Sequence, residues 1–114
     1  MTNCIQILHQ ISLDLKQHHW NTKLDTEHRA LGEAYDALTP MIDTIAETIV
    51  AISGPIPAYT LMKVPSCGIK DLPKDIKAAA SHLREYYPKH EDLKNIAADM
   101  DSIANKLTYK LNLS

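Results

Sequence analysis

Apolar residues recur at helical spacing in four stretches of the chain. In the first, from Thr2 or Asn3 to Asn21, the residues Ile7, Leu8, Ile11 and Leu15 form one stripe. At about 100° per residue, His18 and His19 fall at the two margins of that stripe, and Leu13 and Trp20 point away from it. A large aromatic off the stripe implies a second buried surface, such as a subunit contact. The second stretch, 25–53, carries Leu31, Leu38, Ile42, Ile45, Ile49 and Ile52 on one side. Gly54, Pro55 and Pro57 then stop it. Pro40 lies inside this helix, removes the bond to the carbonyl of Asp36, and is expected to kink it. Thr39-Pro40 could instead cap and open a new helix.

Residues 54–70 hold three prolines and two glycines, so they read as a long connection with at most a short helical turn. A third helix is expected over 71–87, with Leu72, Ile76, Ala79, Ala80 and Leu83 inward. A fourth is expected over 89–112, with Leu93, Ile96, Ala97, Met100, Ile103, Ala104, Leu107 and Leu111 inward. The first helix spans 3–21. Very short turns join the first helix to the second, near Thr22–Leu24, and the third to the fourth, so each pair should be an antiparallel hairpin. Two hairpins and one long connection suit several all-α modules, a ferritin-like four-helix bundle among them. With 114 residues, 1–114 is expected to be a single domain.

Composition narrows the functional classes. The net charge of −2 argues against nucleic-acid binding by bulk electrostatics. Lys63, Lys70, Lys74 and Lys77 gather near the connection, but Asp71 and Asp75 dilute them, so DNA binding is expected to be weak. No apolar run is long enough to span a membrane. No secretory signal is visible at the N-terminus, and Cys4 and Cys67 form no CxxC, so reduced thiols and a cytoplasmic location are expected. There is no Gly-x-Ser-x-Gly, no P-loop and no HExxH.

Six histidines are many for this length. His18, His19 and His28 stand near an acidic stripe, because Asp36, Asp43 and Glu47 share one face of the second helix. His28 lies within about 60° of that face. Imidazoles beside carboxylates are the raw material of a metal site, although each element alone is commonly a solvated surface or a helix cap. His9 and His82 read as packed or surface residues, His90 as a helix start, and Tyr86-Tyr87 as packing at the bundle end.

The ordered set His19-Trp20-Asn21, His28, Asp43-Thr44-Ile45-Ala46-Glu47 and Ile52-Ser53-Gly54 resembles the Dps family of mini-ferritins. The likeness covers roughly 5–58 well and continues weakly through Leu72-Pro73 and Asp75-Ile76. It identifies the chain as a shortened member, of the kind a phage could encode. The turn between the two histidines is three residues shorter than the family's, and a family carboxylate four residues after the second histidine falls on Gly32. The resemblance implies a ferritin-like bundle that forms homo-oligomers with two-fold interfaces, up to a dodecameric shell. It implies a ferroxidase that binds and sequesters iron and protects against peroxide. His19 and His28 of one subunit would meet Asp43 and Glu47 of another, with Asp36 as an extra ligand. The alternative is a non-catalytic helical oligomer that binds a protein partner.

Overall fold

The computed structural model describes residues 3–113. They form four α-helices: α1 (Cys4–Asn21), α2 (Asp25–Ser53), α3 (Leu72–Tyr86) and α4 (Glu91–Leu111). One 3-10 turn, Ile69–Asp71, leads into α3. Asn3 caps α1, its side chain accepting from the Ile5 amide at 2.8 Å; a start at Thr2 lies outside the described residues. The second helix has the bounds expected for it and runs unbroken through Pro40. Thr39 Oγ1 donates to the Tyr35 carbonyl at 2.7 Å, one turn back, beside the carbonyl of Asp36 that proline cannot serve.

The helices pack α1 on α2, α2 on α4, α4 on α3 and α3 on α1. Residue pairing gives the directions. Cys4 lies with Ser53 and His82 at one end, whereas His19 lies with His28 at the other. Asp14 lies with Asp75, and Glu33 is ion-paired with Lys110. Every adjacent pair is therefore antiparallel, and α2 and α3 run the same way across a diagonal.

That parallel diagonal requires the connection to return along the whole bundle, and α1 holds it there. Gln6 Nε2 donates to Thr60 O, His9 Nδ1 meets Tyr59 Oη, and Gln10 binds both Met62 N and Lys63 O. Further along, Asp14 binds Ser66, and His18 Nε2 donates to Cys67 O at 2.7 Å. The polar face of α1 thus supplies the crossover's backbone with partners that water would otherwise provide.

The core follows the expected stripes. Leu8, Ile11, Leu15, Leu31, Leu38, Ile45, Leu72, Ile76, Leu83, Leu93, Met100 and Leu107 are all buried. Two assignments change. Ile52 is 39% exposed, because Cys4 and His82 meet the last turn of α2 on the side of Ile49 and Ser53, and Tyr86 is 45% exposed instead of packing the bundle end. Tyr87 does pack against the core. The third and fourth helices are each slightly shorter than expected, and His90 begins α4 without a side-chain cap bond.

Candidate metal centre

The α1–α2 hairpin brings His19 and His28 together. Their rings stack with centroids 3.9 Å apart and planes 18° from parallel. His19 Nδ1 lies 2.6 Å from the carbonyl of His28, and His28 Nδ1 lies 2.8 Å from the carbonyl of His19. A carbonyl oxygen only accepts, so each Nδ1 must carry the hydrogen. In its neutral form each ring is thereby the Nδ1–H tautomer, in which Nε2 carries the free lone pair. Metal-binding histidines are commonly oriented in this way, through a main-chain carbonyl on the other nitrogen.

Gly32 makes the stack possible. A Cβ placed there would stand 2.8 Å from His19 Cε1 and 2.9 Å from His19 Nδ1. The imidazole occupies the volume that any other residue would fill with its side chain. Gly32 has no unusual backbone conformation, since Gly54 alone has a positive φ among the described glycines. Its role is space.

The acidic stripe is not part of this cluster within one chain. Asp36, Asp43 and Glu47 are exposed on α2 and make no hydrogen bond or ion pair among the described residues. They do not face the bundle interior. At 1.5 Å per residue, Asp43 is about 22 Å along the helix from His28 and Asp36 about 12 Å. Among the described residues, no three His, Cys, Asp or Glu side chains converge as a metal-holding group. His18 points elsewhere, to the crossover. Trp20 is 64% exposed, and the Lys16 ammonium sits 5.8 Å from its ring and 4.4 Å from that of Tyr35.

A second polar centre went unread in the sequence. Asp14 is 1% exposed. Its carboxylate accepts from Ser66 N at 3.0 Å, Ser66 Oγ at 2.5 Å and Gln10 Nε2 at 3.1 Å, with Cys67 Sγ at 3.8 Å. Burial, and then a hydrogen bond to Asp75, push the Cys67 thiol up to about 12. Burial raises the Cys4 thiol to about 11. Both cysteines are therefore protonated and free at neutral pH. The one available signal was the i+4 spacing of Gln6, Gln10, Asp14 and His18, which on a helix also describes an ordinary wet face.

Residues 19–111 match a family of unknown function (DUF5856). The chain belongs to this family. The span shared with DUF5856 begins at His19 and contains His28, Gly32, Asp36, Asp43 and Glu47. No curated protein and no solved structure matches this DUF5856 chain. No helix among its described residues is long and apolar enough to cross a membrane.

Proposed function

We propose that this chain is a Dps-like ferroxidase and iron-sequestering protein whose metal site is shared between two subunits. The observation that carries the reading is the reciprocal Nδ1–carbonyl lock of His19 and His28. It presents two Nε2 atoms with no hydrogen-bond partner among the described residues. Ferrous iron is the substrate. It accepts imidazole nitrogen, and it needs carboxylate oxygens beside it in place of nitrogen or sulfur alone.

Symmetry supplies the carboxylates. When two α2 helices cross antiparallel about a two-fold axis, residue 28 of one meets residue 43 or 47 of the other if the axis passes midway, near residues 35–38. Asp36 is exposed at that level. A subunit contact there would juxtapose His28 with the partner's Asp43 and Glu47. It would also set two copies of Asp36 facing each other, where a cation relieves their repulsion. The antiparallel neighbours, the parallel α2–α3 diagonal and the long crossover support a ferritin-like reading of the bundle. In the reaction, two ferrous ions each give one electron to hydrogen peroxide. Its O–O bond breaks and leaves two hydroxides beside two ferric ions. The histidine pair would bind and orient the ferrous ion, and the carboxylates would stabilise the added positive charge of the product.

The test is anaerobic Fe(II) titration followed by peroxide addition, for wild type, His28→Ala and Asp43→Ala, with particle mass measured on the same samples. Saturable oxidation on a dimer or larger particle, lost in both variants, supports the reading. Absence of saturable binding refutes it.

A further inference from the structure

A cavity lies between α1, the crossover and α3. It is about 470 Å³, within the size range of sites for small organic molecules. Ile11, Met62 and Ala78 give it apolar walls, while Gln6, Asp14 and Asp75 are among its polar groups, with Gln10 and Ser66 beside them bonded to Asp14. Among the described residues, no lysine, arginine or histidine lines it. Asp14 receives hydrogen bonds from neutral donors only, and neither Asp14 nor Asp75 has an ion pair among the described residues. The Gln6 amide nitrogen is committed to the crossover at Thr60, which leaves its carbonyl oxygen free to accept. Among the described residues, the cavity therefore offers acceptors and apolar surface, and no cation of its own.

We propose that this cavity binds a small organic cation, an ammonium or amidinium group on an apolar body, with the charged end at Asp75 and the body against Ile11 and Met62. Electrostatics favour the charge. Burial holds the Asp75 carboxyl above its ordinary range, and the neighbouring Asp71 and Asp14 push the same way against the bond from Cys67. An incoming cation relieves each of these costs. The walls favour an organic ion, because a hydrated inorganic ion gains nothing from Ile11 or Met62 and must shed water to enter. This site is independent of the histidine pair and of the iron reading.

The experiment compares two probes of nearly identical shape, benzamidine as the cation and benzamide as its neutral counterpart. The full chain is titrated with each at fixed ionic strength, and amide chemical shifts are followed by NMR. Benzamidine should give saturable shifts at Ile11, Met62 and Asp75, and benzamide should bind at least about tenfold more weakly, the loss of one charge-assisted contact. Asp75→Asn should weaken benzamidine by a similar factor. Ala78→Leu, at an exposed position of α3, should fill the cavity and remove the shifts without touching either carboxylate. Equal binding of both probes, no saturable shift, or benzamidine binding unchanged in Ala78→Leu would overturn the proposal. The Ala78 variant keeps the test decisive even if Asp75→Asn fails to fold.

Discussion

Replacing Gly32 by alanine sets two effects of known sign against each other. In the interior of a helix, Gly→Ala ordinarily stabilises by about 0.5–1 kcal/mol, because glycine loses more backbone freedom on folding. Here the new methyl would stand 2.8 Å from His19 Cε1 and 2.9 Å from Nδ1, closer than carbon and nitrogen tolerate. The obstructing group is the end of a half-buried side chain, so the imidazole can swing away at small steric cost. Swinging breaks the 2.6 Å bond from His19 Nδ1 to the His28 carbonyl, a net loss of about 0.5–1.5 kcal/mol, and ends the stack on His28. The two effects nearly cancel, so Gly32→Ala should change the unfolding free energy by less than about 1 kcal/mol. The histidine pair, however, should be lost. Urea unfolding measures the first quantity. Long-range ¹H–¹⁵N spectra of the imidazoles measure the second, since a locked Nδ1–H tautomer has distinct ring nitrogen shifts, and a released ring averages over both tautomers. Fe(II) oxidation should fall with the lock. A variant stabilised by about 1 kcal/mol with His19 ring shifts unchanged would refute the reasoning, because it would mean the ring never needed the glycine's space.

Four other outcomes are expected. Asp14→Ala removes the carboxylate that holds Ser66 and should cost about 3 kcal/mol while opening residues 54–68 to limited proteolysis; a loss under about 1 kcal/mol in urea unfolding would show that the crossover is held elsewhere. Cys4 keeps its proton to about pH 11 in the folded chain, whereas an unfolded thiol releases it near 9.0. The unfolded state therefore binds fewer protons between those values, stability falls as pH rises through them, and this thiol contributes up to about 1.4 kcal/mol per pH unit to the slope. Cys4→Ala should make that part of the profile shallower, with Cys67 supplying the slope that remains, and parallel profiles for variant and wild type would contradict the assignment. His82 Nδ1 is buried with no hydrogen-bond partner among the described residues, and its ring lies against Tyr86 with centroids 4.2 Å apart, so His82→Phe should leave thermal stability unchanged or raise it by about 1 kcal/mol; a clear fall in Tm would reveal a partner for that nitrogen. Asp36→Cys should form a disulfide-linked dimer under mild oxidation if α2 packs on its own copy near residue 36, and an exclusively monomeric product would place the two-fold axis elsewhere.

The four helices were legible because their determinants are local. Apolar spacing, the Asn3 cap and the Gly54–Pro55 stop each act within a turn or two of chain. The bounds of α2 follow from them directly, and its continuity through Pro40 agrees with a single helix. The histidine pair was legible as a pair of residues, since a three-residue turn must bring the ends of α1 and α2 together.

The polar face of α1 was not. Gln10, Asp14 and His18 have the spacing of a wet helical surface, and they become structural only because the crossover, some fifty residues later in sequence, lies against them. Ile52 shares the apolar stripe of α2, yet stands 39% exposed, because Cys4 and His82 meet that last turn on the side of Ile49 and Ser53. Gly32 sits among core positions, and nothing in its neighbours along the chain says that an imidazole from another helix fills its missing side chain. Periodicity tells each helix which face is apolar, whereas the partner that covers a given position, or the empty volume that a ring can enter, is set by packing between distant segments. Sequence alone therefore determined the elements, their order and the residues able to ligate a metal. Tertiary structure decided which of those residues meet, which carboxylate is buried under the crossover, and which side chains remain free to face something else.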